Sequence, residues 1–130
     1  MSWVNHYLTS TRYRDGGRGP NEFDCWGLVR EARAIHLGLS LLPIYADLRN
    51  DNPRSFTKAY RTEAGKLKLC PAEHGAIAAV MIGQVCTHVA LVVDEGDGLK
   101  VLEINPERGA RFLRLNEWLQ GHVKVTFHND

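Results

Sequence analysis

Polar and apolar positions divide this chain into a helical front and a strand-rich back. Residues 2–9 carry an amphipathic pattern that predicts a short helix capped by Ser2, and the Gly- and Pro-rich stretch from Arg14 to Asn21 follows as a loop. Asp24 then reads as the N-cap of a helix that starts at Cys25, buries Leu28, Ala32 and Ile35 as one stripe, and stops near Gly38. After an irregular stretch over 41–51, Asn52-Pro53 supplies a cap and a first helical residue for another helix to about Ala64. Beyond that point the period shortens. Residues 76–82, 85–93, 99–105, 111–115 and 123–127 are β-rich runs broken by Gly, Asp and Pro. Helices followed by a meander of strands predict an α+β fold with an antiparallel sheet of about five strands.

Size and charge narrow the partners. The 130 residues fit one domain, 1–130, large enough to bury a core without staples. Sixteen Lys and Arg against fifteen Asp and Glu give a formal charge of +1, and the basic residues are scattered, so nucleic acid is not an expected partner. No apolar run is long enough for a membrane span, and residues 1–7 lack the basic-then-apolar pattern of a secretion signal. The expectation is a protein made in the cytoplasm without a signal peptide. Three cysteines, Cys25, Cys70 and Cys86, cannot all pair with one another, which leaves at least one free thiol.

One of those thiols is placed for chemistry. Cys25 directly follows a capping aspartate, where first-turn N–H groups and the positive end of the helix dipole favour a thiolate. His88 opens the apolar run Val89-Ala90-Leu91-Val92-Val93, so a strand can hold it rigidly as base and later as acid. The turn at Asp94-Glu95-Gly96-Asp97-Gly98 should return 99–105 antiparallel beside it, with Glu103 and Asn105 on one face. A register pairing 88 with 103 would set the two Cβ atoms about 5 Å apart. Glu103 would then orient the imidazole, and Asn105 is the reserve should the register slip by two residues. A zinc reading of Cys70-x-x-x-His74 with Cys86-x-His88 lacks the tight-turn knuckles of a structural site, so no metal is expected. Cys70 and Cys86 read instead as small buried hydrophobes, and the other histidines as surface or partly packed groups.

Several segments, in this order and spacing, resemble a known family. Tyr13-Arg14-Asp15-Gly16-Gly17 ahead of Asn21-Glu22-Phe23-Asp24-Cys25, then Gly75-Ala76-Ile77-Ala78-Ala79-Val80, Thr87-His88-Val89-Ala90-Leu91-Val92 and Leu102-Glu103-Ile104 are similar to the NlpC-type cysteine peptidases. These are bacterial and phage enzymes of stripped-down papain-like fold that cut peptide bonds in peptidoglycan stem peptides. The resemblance spans about 13–115. It implies a papain-like NlpC fold with the nucleophile at a helix N-terminus, Cys25 as nucleophile, His88 as general base and Glu103 as the orienting residue. It also places Tyr13, Asp24 and Trp26 on the oxyanion and substrate side, Tyr13 helping the Cys25 N–H, and it needs no metal or cofactor. Trp26 departs from the commoner Asp-Cys-Ser pattern, and Asp24-Cys25-Trp26-Gly27 looks like the members encoded in phage tail-assembly clusters; Trp26 also suits a buried anchor. Ala76 departs from the usual Gly-Asp, and Glu103 from the commoner histidine or neutral polar residue, although a carboxylate still accepts the ring N–H. The implied function is a tail-associated cysteine peptidase with peptidoglycan peptide as substrate and phage tail proteins as partners, carried on a virion tail to the host wall. The alternative is a catalytically inactive structural component of a tail tip on the same fold.

Overall fold

The computed structural model describes residues 2–49 and 51–130. Helix α1 (Ser2–Ser10) buries Tyr7, whose hydroxyl donates to Glu31 Oε1 at 2.6 Å and whose ring meets Phe23 edge-on. Ser2 is its first residue, and the capping role expected of that side chain lies outside what is described. Two two-residue strands, β1 (Arg12–Tyr13) and β2 (Glu22–Phe23), pair in parallel and close the glycine-rich loop between them.

Helix α2 (Cys25–Glu31) follows directly and runs on into a wider π-helical turn over Ala32–His36. That turn corrects the expected apolar stripe. Leu28 and Ala32 are fully buried, but Ile35 is 69% exposed, because the wider turn shifts the inward face and brings Arg33 inside in its place. The buried Arg33 guanidinium is satisfied by Gly75 O, Asn129 Oδ1 and Asp130 Oδ1. Helix α3 (Pro53–Ala64) starts as expected, with the Asn52 side chain accepting from Ser55 N.

The rest is sheet. Strands β3 (Lys68–Leu69), β4 (Ile77–Ile82), β5 (Val85–Asp94), β6 (Leu99–Asn105), β7 (Gly109–Arg114) and β8 (Lys124–Asn129) form one sheet in the order β3-β8-β4-β5-β6-β7, every neighbour antiparallel. The sixth strand beyond the expected five is β3, whose two residues are too short for a periodic signal. A short helix α4 (Leu115–Leu119) between β7 and β8 also carries no clear period.

Both faces of the central strands are covered, which is why Ile77–Ile82 and residues 89–93 read as continuous apolar runs. Ile77, Ala79, Val89, Leu91, Leu102 and Ile104 join the core with α2 and α3, while Ala78, Val80, Ala90, Val92 and Val101 pack with Trp118 of α4. The register of β4 against β5 shifts between Val80 and Met81, so that Val80 faces His88, Met81 faces Cys86, and Thr87 is left as the extra residue. Such a bulge bends a strand and re-aims the side chains beside it. His88 is the residue next to it.

Candidate active site

Asp24 builds the start of α2. Its backbone is extended, its Oδ1 accepts from Gly27 N at 2.8 Å, and its Oδ2 accepts from Gly16 N at 3.1 Å. The Arg18 guanidinium donates to the same Oδ1 at 2.7 Å and also reaches Ile44 O and Tyr45 O. One buried carboxylate therefore fastens the glycine loop and the 44–45 stretch to the end of the helix that carries Cys25. Gly27 is required by that closeness, since a Cβ there would stand 2.2 Å from Gly17 O. Trp26 turns away from the helix tip. Its Nε1 donates to Pro43 O at 3.0 Å, and its buried ring meets Tyr45 and Phe56 edge-on.

The structure brings Cys25, His88 and Glu103 into one chain of contacts. A side-chain hydrogen bond links Cys25 and His88, and His88 Nε2 lies 2.9 Å from Glu103 Oε1. The route differs from the expected one. The paired residues of β5 and β6 run from Leu91 opposite Leu102 to Asp94 opposite Leu99, a register that, continued, sets His88 against Asn105 and not Glu103. Glu103 is thus the diagonal neighbour on the same face, within reach of a long side chain. Asn105 is engaged elsewhere, its Oδ1 accepting from Arg108 N in the β6–β7 turn.

Electrostatics follow from that packing. Burial alone would push His88 down, but its hydrogen bonds to Cys25 and Glu103 and their negative charges outweigh it and raise the imidazole to about 10. Burial would likewise raise Glu103, and the bond and charge of His88, followed by Arg111 and Trp118, bring the carboxyl down to about 2. At neutral pH the pair is imidazolium and carboxylate. Tyr13 lies close enough to Cys25 for that charge to act on it. Burial first, then the charges of Cys25, Asp15, Asp24 and Asp51, raise its phenol, so it remains a hydroxyl donor.

Sequence reasoning did not single out Arg111 and Trp118. Trp118 Nε1 donates to Glu103 Oε1 at 2.8 Å, while Arg111 Nε and Nη2 donate to Oε2 at 3.0 and 2.6 Å. Hairpin arithmetic could have found Arg111, because a turn spanning Asn105 and Gly109 sets Glu103 opposite Arg111. On this side a cleft of about 300 Å³ opens, lined in part by Thr87, His88, Glu107, Arg111 and His122. Among the described residues no group of three or more His, Cys, Asp or Glu could hold a metal ion, and no helix is long and apolar enough to cross a membrane.

Only Cys25 of the three thiols has the imidazolium as a partner. Burial pushes Cys86 up to about 12 and Cys70 upward as well. Iodoacetamide at pH 6 is expected to label Cys25 before either, and His88→Ala to slow that labelling by about tenfold or more. Peptide mapping by mass spectrometry reads this directly, and equal labelling of all three thiols in the folded protein would contradict it.

A cysteine at the tip of a helix packed on an antiparallel sheet defines a papain-like α+β fold of the NlpC type. The sequence agrees, for the model of the NlpC/P60 family matches residues 10–125, and the chain belongs to that family. Its members are generally cysteine peptidases acting on peptidoglycan, which gives the chain a cell-wall peptidase type of function. A search of curated proteins gives no match.

Proposed function

We propose that the protein is a cysteine peptidase that hydrolyses an amide bond in peptidoglycan stem peptides through Cys25, His88 and Glu103. The observation that carries this reading is His88 held between the Cys25 side chain and a buried carboxylate whose other contacts fix its orientation. The Cys25 sulfur attacks the carbonyl carbon, and the carbon–oxygen π pair moves to oxygen, where the Cys25 N–H and the Tyr13 hydroxyl stabilise it. As the oxyanion collapses, the C–N bond breaks and His88 gives its proton to the leaving amine. Water then attacks the thioester with His88 taking its proton, and Cys25 leaves as the product acid forms. Glu103 holds the ring and favours its charged form without itself taking the proton. Asp24 and Trp26 serve the site by shaping the helix tip and its neighbouring stretch.

Tail delivery is part of the same reading and rests on the likeness of Asp24-Cys25-Trp26-Gly27 to tail-assembly members, with the protein made in the cytoplasm and phage tail proteins as its carriers. Muropeptide digests analysed by mass spectrometry test the chemistry and identify the bond. Wild type should produce new amine and carboxylate termini, and Cys25→Ala should lose that activity by about a thousandfold or more. A folded wild type with reactive Cys25 that leaves every muropeptide intact would favour the structural tail-tip role.

A further inference from the structure

Glu103 is an unusual third group because it is charged, and its surroundings are built to hold a charge. The carboxylate is 3% exposed, yet every part of it is answered. Oε1 receives His88 Nε2 from β5 and the Trp118 indole from α4, and Oε2 receives two N–H groups of Arg111 from β7. The other polar groups bordering the same cleft are Thr87 of β5, Asn105 of β6, Glu107, and His122 just beyond α4. Val80 and Ile82 line that cleft from β4 and bring no charge. With Cys25 in the thiolate form that nucleophilic attack requires, its charge and those of the His88 imidazolium, the Glu103 carboxylate and the Arg111 guanidinium sum to zero.

That balance has chemical consequences. Without Arg111 the cluster would carry a net negative charge, which disfavours the thiolate and ties the proton to His88. A base that never releases its proton cannot drive both halves of the reaction. Without Trp118, Oε1 would lose the donor that stops it rotating away from the ring. We propose that Arg111 and Trp118 are positioning residues that hold Glu103 ionised and aimed at His88, with Arg111 supplying the counter-charge that lets a carboxylate serve as the third group. This inference rests on the peptidase reading for its purpose, but the electrostatic coupling can be measured without any substrate.

The experiment follows the pH dependence of Cys25 alkylation by iodoacetamide in the whole chain. Arg111→Met should move the midpoint up by about one pH unit, a roughly tenfold slower reaction on the acid side, and Arg111→Lys should recover most of that shift. Because the effect runs through Glu103, Arg111→Met introduced into Glu103→Gln should move the midpoint much less than in wild type. Trp118→Phe keeps the ring and removes the donor, and is expected to lower kcat on muropeptides about threefold to tenfold with KM unchanged. A folded Arg111→Met with the wild-type midpoint, or an equal shift in both backgrounds, overturns the proposal. If Arg111→Met does not fold, Arg111→Gln takes its place in both backgrounds, and a wild-type midpoint there or a wild-type kcat in Trp118→Phe would overturn the proposal. Should wild type cleave no muropeptide while the coupling is as described, the peptidase reading falls and the clamp stands.

Discussion

Gly27→Ala is expected to destabilise the protein by about 3 kcal/mol or more, enough to lower Tm by about 10 °C or to prevent folding. The reason is local and severe. The added Cβ would meet Gly17 O at 2.2 Å and Arg18 Cα at 3.2 Å, and these are backbone atoms that cannot swing aside like a flexible side chain. Gly17 O is itself the acceptor for Asp24 N, and Gly16 N donates to Asp24, so pushing the loop outward breaks the contacts that cap the helix. The displaced loop follows directly on Tyr13, one of the two proposed oxyanion donors, so a variant that still folds should also lose activity out of proportion to its stability. Thermal melting and muropeptide turnover measured together check this. A Gly27→Ala protein with wild-type Tm would mean that the loop does not approach the helix as described.

The same glycine shows what the sequence could and could not convey. Asp24-Cys25-Trp26-Gly27 could be read as cap, nucleophile and apolar anchor because each follows from local helix chemistry, whereas the need for glycine depends on a loop folding back from ten residues earlier. Strands β4, β5 and β6 were legible within a residue because Ile77–Ile82 and residues 89–93 are continuous apolar runs and Leu99–Asn105 is rich in β-forming residues, each bounded by Gly or Asp turns. The expected place of Ile35 assumes 3.6 residues per turn, and the π-helical turn that contains it breaks that count. The 88–103 register was misplaced for a related reason. The β5–β6 turn, which pairs Asp94 with Leu99, sets the strands two residues away from that pairing, and composition marks the turn without fixing its register. Face was preserved, so Glu103 remained within reach. Trp118 was invisible as a partner because it arrives from a five-residue helix whose contact with Glu103 is purely tertiary.

Glu103→Ala is expected to be the most damaging change at the site after loss of Cys25 or His88. It removes the acceptor for His88, Arg111 and Trp118 at once, and buried donors left unmade cost about 1–3 kcal/mol each, less for Arg111, which can turn to solvent. Activity should fall by about a hundredfold to a thousandfold, while Glu103→Gln, which keeps an acceptor of the same shape, should lose about tenfold. Asn105→Ala should stay within about twofold, since its side chain serves the Arg108 turn. Severe loss in Asn105→Ala with a silent Glu103→Ala would assign the third position to Asn105 and leave the Cys25–His88 contact untouched. Stability against pH gives an independent check. Glu103, lowered to about 2, contributes stability that is present above its usual value of 4.5 and fades as pH falls toward 2. His88, raised to about 10, contributes stability that is complete below its usual 6.5 and is lost as pH climbs through 10. Wild type should therefore keep the full contribution of the pair between pH 4.5 and 6.5 and lose several degrees of Tm by pH 10. Glu103→Gln removes the carboxylate charge that helps hold the proton on His88, so its decline on the alkaline side should be smaller and end at lower pH. An alkaline decline identical in Glu103→Gln and wild type would show that the carboxylate does not set the charge state of His88.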